Sequence, residues 1–304
     1  MAQTMNRKKF HHFLHDGYLK AWRMPTTIYV YDLRERKSFD KTGRDVGGEG
    51  KFNVFSFDQT VGDLLRYTFA ERAHRDESGG VYRLMLGFID FMKDFDYQHK
   101  SDNLLEDFYG EFETRIGKAL KLVEDGKQLI LNETQEAFDS LVFFFCLQLF
   151  RTPKIRRLLS DEMVSVYYAN EQLEAQQKAE YIKMHLFISG LAMAVDILGK
   201  GCRIRLRYAR HAGKFVNSDA PAVLRSGVLR RLEEMEGWMP LSPHVLMEIE
   251  CIGLGFKWEC RGDISGIEVE NFNRRLIRNA ERWVYFSSRS QRARHLDCIP
   301  ALRK

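Results

Sequence analysis

Cysteine is scarce and unpaired in this sequence. Cys146, Cys202, Cys251, Cys260 and Cys298 are odd in number, widely spaced and form no C-x-x-C pair. That pattern excludes a disulfide framework and a cysteine-based zinc site, and it predicts a reducing, cytoplasmic setting. Long apolar stretches are missing too. The longest unbroken run, Leu141-Val142-Phe143-Phe144-Phe145-Cys146-Leu147, falls far short of the ~20 residues of a membrane span, so a buried helix and no membrane partner are expected. Arg7, Lys8 and Lys9 lead into His11, His12 and His15 instead of an apolar core, which leaves no secretory signal. The glycines Gly47, Gly48 and Gly50 lack phosphate-loop spacing and precede no Lys-Ser or Lys-Thr pair; they read as a flexible connection. No H-E-x-x-H surrounds any histidine and no Gly-x-Ser-x-Gly elbow surrounds Ser218, so zinc-protease and serine-hydrolase chemistry have no support. No residue pattern names a cofactor, a metal or an oligomeric state.

Apolar bulk is plentiful: 44% of the 304 residues are hydrophobic, with 22 Phe, 12 Tyr and 4 Trp. A single packed domain over 1–304 follows. The formal charge of +5 is unevenly spread. Residues 201–304 carry 19 Lys+Arg against 12 Asp+Glu, a net +7, while the preceding 200 carry 28 against 30, a net −2. A basic third points to a polyanionic partner such as nucleic acid, although solvation alone also produces basic surfaces.

The periodicity changes twice along the chain. Residues 1–57 read as β-rich, because Ile28-Tyr29-Val30-Tyr31 is a β-branched and aromatic run followed by the polar turn material Arg34 to Lys41. From 58 to 199 the apolar spacing is helical: Val61, Leu64, Leu65 and Phe69, then Val81, Leu84, Phe88, Phe91 and Phe95, then Leu104 to Leu120, and the apolar run that ends at Phe150. Ile155 to Leu198 has room for two more helices. Beyond Gly199 and Gly201, alternation sets Cys202, Ile204, Leu206 and Tyr208 opposite Arg203, Arg205 and Arg207, a half-exposed strand. Lys214–Val216, Val245–Ile252 and Phe256–Cys260 are further strands, and Val269 to Trp283 is a late helix before a closing strand, Val284-Tyr285-Phe286. The expected class is α+β, with β-rich N- and C-terminal segments forming a small mixed or antiparallel sheet around a large helical middle.

Four separated stretches carry a resemblance: His11 to Trp22, Gln148-Leu149-Phe150-Arg151-Thr152-Pro153, Phe215-Val216-Asn217-Ser218-Asp219-Ala220-Pro221, and Met239-Pro240-Leu241-Ser242-Pro243, completed by Asn273 ahead of Tyr285. Together, in this order, they resemble the domain-of-unknown-function family 4238. His15, Asn217 and Ala220 depart from the pattern, standing where the family usually has Pro, Thr and Asn. The resemblance singles out His12, Gln148, Arg151, Ser218, Asp219 and Asn273 as residues of one shared pocket.

Each of these residues has a bland reading beside a chemical one. His12 can exchange a proton near neutral pH or order the N-terminal segment. Arg151 can hold a phosphate or carboxylate, or satisfy the last carbonyls of its helix; Gln148, one turn earlier, can serve either purpose. Ser218 and Asp219 sit in a strand-end loop that a simple Asx turn also explains. Glu111 and Glu113 read as solvated. Two functions follow. The first is phosphodiester cleavage, a nuclease of the toxin or antiviral-defence kind, with His12 transferring a proton, Asp219 orienting and Arg151 stabilising negative charge. The second is a non-catalytic module that binds nucleic acid or an acidic protein through Arg203, Arg205 and Arg207, with Arg274, Arg275, Arg278 and Arg282 as a second basic face.

Overall fold

A computed structural model describes residues 10–12, 14, 16–23, 26–42, 46–50, 58–75, 79–99, 104–124, 135–158, 174–209, 213–226, 232–253, 255–296 and 299. The chain is α+β. Strand β1 (Phe10–His12) precedes a short helix, α1 (Asp16–Leu19), and a 3-10 turn at Lys20–Trp22. The hairpin β2 (Ile28–Asp32) and β3 (Lys37–Lys41) follows, then β4 (Gly48–Gly50). Four helices fill the middle: α2 (Gln59–Arg75), α3 (Gly79–His99), α4 (Leu104–Glu124) and α5 (Gln135–Phe150). A fifth, α6 (Ala175–Lys200), leads into β5 (Cys202–Tyr208). Short strands β6 (Asn217–Ser218) and β7 (Val223–Leu224) precede β8 (Glu236–Ser242), β9 (Val245–Cys251) and β10 (Phe256–Asp263). The chain then forms α7 (Gly266–Asn279), β11 (Trp283–Phe286) and α8 (Arg289–Leu296).

Several local expectations change. The glycine cluster is strand, not connection: β4 pairs antiparallel with β1, His12 opposite Gly48. Residues 37–41 are the second arm of a hairpin, because Asp32 accepts the backbone amides of Arg34 and Glu35 and turns the chain early. Lys214–Val216 is not strand; pairing starts at Asn217. The late helix stops at Asn279, and Trp283 opens β11 instead. Residues 159–173, where a helix is expected, lie outside the described residues; 153–158 form a short helical segment.

Among the described residues, the strands form a five-stranded mixed sheet, β10-β5-β9-β8-β7, a four-stranded sheet, β3-β2-β11-β6, and the two-stranded β1-β4. Alternation on β11 divides two cores: Trp283 and Tyr285 join Ile28 and Val30 in one cluster, while Val284 and Phe286 face Leu276 and Ile277 of α7 in another. The apolar run of α5 lies on the large sheet, with Phe138 packed edge-on against Trp258 at 5.0 Å. Helix α6 is long and apolar enough to cross a membrane, yet it packs on α2, α3 and α5 and two-thirds of its most apolar stretch is buried inside the fold. Its hydrophobicity is accounted for by core packing.

Candidate functional site

The family-like stretches meet around one tyrosine. Tyr18, fully buried on α1, donates its hydroxyl to the Pro240 carbonyl at 2.5 Å, with Asn217 Oδ1 3.3 Å away. The indole of Trp22 donates to the Phe215 carbonyl at 3.3 Å. Asn273 closes the same loop from α7, accepting the Val216 amide at 2.9 Å and donating to the Lys214 carbonyl at 3.0 Å. Lys154, the residue after the second stretch, ties it in: its ammonium donates to Asn279 Oδ1 at 2.8 Å, while Asn279 donates to the Ala220 carbonyl at 2.9 Å.

Asp219 is 1% exposed and accepts three consecutive backbone amides, from Glu281, Arg282 and Trp283, at 2.7–3.0 Å. Burial pushes its carboxyl up to about 6, against the pull of those three amides. The hydroxyl of Ser218 accepts the Ala220 amide at 3.2 Å. These bonds are those of a polar turn sealed into the core.

Arg151 is 2% exposed; its guanidinium stacks 3.6 Å from the Tyr109 ring centroid and donates to Glu113 at 2.7 Å. Glu113 is therefore an internal counter-ion, not a solvated carboxylate, whereas Glu111 is exposed and pairs with Arg115. Gln148, 2% exposed, lies one turn beyond Phe144, whose ring packs 5.1 Å from Tyr18. Its Oε1, Asn217 Nδ2 and the Tyr285 hydroxyl are buried without a hydrogen bond to a described residue. Gly47 presents its amide toward that hydroxyl, and the charge of Asp219 also reaches it. The β1-β4 pair thus adjoins the motif network through Gly47. The side chain of His12 lies outside the described residues, and so does its expected meeting with Asp219.

The arginine stripe on β5 is not the bare basic face expected. Arg203 pairs with Glu250 and Glu259 at 3.3 Å, and Arg205 pairs with the same two at 3.0 and 2.8 Å. Arg207 pairs with Glu248 and Glu268 at 3.3 and 3.0 Å. Glutamates on β9 and β10 stand in register beside the stripe and neutralise it. Arg282 belongs to no helical face either: it donates to Asp32 at 2.8 Å.

A second set of arginines lies on α7. Its apolar face, Val269, Leu276 and Ile277, is buried, and a Ser265–Glu268 capping box fixes its start. Arg274, Arg275 and Arg278 therefore emerge on the other face, exposed and without an ion pair to any described residue. They overhang a cleft of ≈ 680 Å³ whose far wall carries Arg205, Arg207 and Arg225. Trp238 and Phe272 line it, 5.2 Å apart edge to face, with Arg275 4.9 Å over the indole. Trp238 is 4% exposed, and its Nε1 has no hydrogen-bond partner among the described residues. A second hollow of ≈ 320 Å³ continues the cleft toward Lys154, sharing Arg225, Trp238, Arg275 and Arg278. Seven cationic side chains thus line one groove against three carboxylates, Glu236, Glu248 and Glu268. Arg203 is not part of this lining. Among the described residues, no three His, Cys, Asp or Glu side chains gather as a metal cluster.

Residues 11–290 match a family described as Protein of unknown function (DUF4238). The chain belongs to the DUF4238 family. No curated protein and no solved structure shows a significant match. In this DUF4238 chain, the stretches that carry the family likeness build the buried network around Tyr18, while the groove is built from arginines outside those stretches. Reading the sequence as separate motifs misses Arg225, Trp238 and Phe272. The signals toward the groove are Arg205 and Arg207 on the alternating stripe and the placement of Arg274, Arg275 and Arg278 on a single face of an amphipathic helix.

Proposed function

We propose that this DUF4238 chain binds nucleic acid in the groove between α7 and the five-stranded sheet, as a binding module. The observation that carries this reading is the row Arg274, Arg275 and Arg278: three guanidinium groups with no ion pair to a described residue, facing the glutamate-paired Arg205, Arg207 and Arg225 across one cleft. Arg274 and Arg278 are separated by about 6 Å along the helix axis, so they can engage successive phosphates. Phe272, half-buried in the groove wall, gives an unstacked base a ring to pack on, while Trp238 is sealed beneath Arg275 and shapes the wall. Cleavage has weaker support. Arg151 and Asp219 are sealed in the core, one paired to Glu113 and the other saturated by backbone amides.

The test is fluorescence anisotropy with labelled single-stranded RNA and DNA over a salt series. Arg274→Ala/Arg275→Ala/Arg278→Ala is expected to weaken binding at least tenfold and to lower the slope of log K against log salt by about 2, at roughly 0.7 per lost phosphate contact. Failure of the unaltered chain to bind either strand at low salt would overturn the reading. Shortened RNA in the same samples would move the assignment to the nuclease, and His12→Ala and Asp219→Ala variants that stay folded would then be the ones to abolish it.

A further inference from the structure

The helical half of the molecule holds a hollow of ≈ 320 Å³ that shares no lining residue with the groove. Phe69, Tyr82 and Phe150 give it an aromatic wall, and Met193 and Leu232 add aliphatic surface. Its volume lies at the small end of the ~300–1,000 Å³ range of ligand pockets. Two polar groups make it more than a packing defect.

The first is Arg72 on α2. Its guanidinium lies 5.7 Å from the Phe69 ring centroid and has neither a hydrogen bond nor an ion pair to a described residue. Asp196, which also lines the hollow, is engaged with Lys200 at 3.4 Å. The second is His185 on α6, 4% exposed, whose protonation follows from counting hydrogens. Thr68 spends its only hydroxyl hydrogen on the Leu64 carbonyl at 2.9 Å. In the 2.9 Å contact between Thr68 and Tyr181, the tyrosine must therefore be the donor. Tyr181 then has no hydrogen left for His185 Nδ1, 3.3 Å away, so Nδ1 carries the imidazole proton and donates. Nε2 is left as a bare acceptor with no described partner. Burial, with the charge of Arg72 adding to it, keeps the ring neutral by pulling its pKa down to about 3.

We propose that this hollow binds a small apolar hydroxycarboxylic acid, its carboxylate on Arg72, its hydroxyl donating to His185 Nε2, and its hydrocarbon part against Phe69, Tyr82 and Phe150. A simple fatty or aromatic acid would leave the buried Nε2 lone pair facing hydrocarbon, which disfavours it; a neutral alcohol would forgo the charge-assisted hydrogen bonds that a carboxylate makes to the half-exposed Arg72 guanidinium. The site is independent of the nucleic-acid reading and stands or falls separately from it.

Titration calorimetry with 3-phenyllactate as the probe tests the proposal. The comparison ligands are 3-phenylpropionate, which lacks the hydroxyl, and 3-phenyl-1,2-propanediol, which lacks the carboxylate. Phenyllactate is expected to bind roughly tenfold or more tightly than either. Arg72→Gln, a substitution at a half-exposed position, should erase the preference for the acid over the diol. His185→Leu should erase the preference for phenyllactate over phenylpropionate. Equal affinity for all three ligands, or no binding of phenyllactate at millimolar concentration, would overturn the proposal.

Discussion

His185 shows what burial does to a single titratable side chain. Its ring is held neutral on α6 by desolvation and by Arg72, with Tyr181 hydrogen-bonded to Nδ1 and Asp196, paired to Lys200, lining the same hollow. The folded pKa of about 3 lies below the unfolded value of 6.5. As pH falls below 6.5 the unfolded chain takes up a proton that the folded chain refuses, so stability drops with acidification down to about pH 3. From pH 7 to pH 5 this one group removes about 2 kcal/mol. Urea unfolding of the unaltered chain and of His185→Gln at both pH values checks it: the variant should lose that much less on acidification, and equal losses would place the ring in solvent. At this scale the sequence makes residue identities legible but not their partners. Asn217, Ser218 and Asp219 stand out as a polar turn, yet the amides that occupy Asp219 lie 62–64 positions away. The stripe Arg203, Arg205 and Arg207 reads as basic because Glu248, Glu250 and Glu259 arrive on later strands.

Elements were legible where periodicity runs long and unbroken, as in α2 to α5, β5 and β9. Strand β8 was hidden by its own composition. Met239-Pro240-Leu241-Ser242-Pro243 carries two prolines, and proline offers no amide to a ladder, so the stretch gives no strand signal. The structure accommodates Pro240 opposite Leu246 at a register shift, where a missing hydrogen bond costs least. The other end of β8 depends on a missing side chain. A Cβ added at Gly237 would sit 2.4 Å from the Phe145 ring and 3.0 Å from the Val223 carbonyl, so the apolar run of α5 can lie on the sheet only with glycine there. Gly237→Ala is expected to destabilise the chain by about 1–3 kcal/mol through overpacking. Phe145→Leu in the same background should restore part of the loss, measured by thermal unfolding; an unaffected midpoint in the single variant would show that α5 is not seated as described.

At the scale of the whole molecule, the α+β class and the order of its β-rich and helical regions could be read from the sequence, whereas the pairing of β2 with β11 could not. No local pattern tells Ile28–Asp32 that its neighbour is Trp283–Phe286. Asp32 ties the two ends together, accepting both the Arg282 guanidinium and the Trp283 indole, 250 and 251 positions away. A chain ending at residue 281 loses the strand that joins β2 to β6, and with it the Trp283 and Tyr285 side chains of one apolar cluster and the Val284 and Phe286 side chains of another. It is expected to show no cooperative urea transition by tryptophan fluorescence; a sharp transition would mean that the four-stranded sheet is dispensable.

That pairing also sets a timetable for biosynthesis. On a ribosome adding about 5–20 residues per second, the hairpin of β2 and β3 emerges roughly 12–50 s before β11 can reach it. Throughout that interval Ile28 and Val30 present a bare, β-prone edge of the kind that invites pairing between chains. Folding during translation can therefore complete the helical half early, but the four-stranded sheet closes last, and chaperone demand should be concentrated on the first fifty residues of the nascent chain.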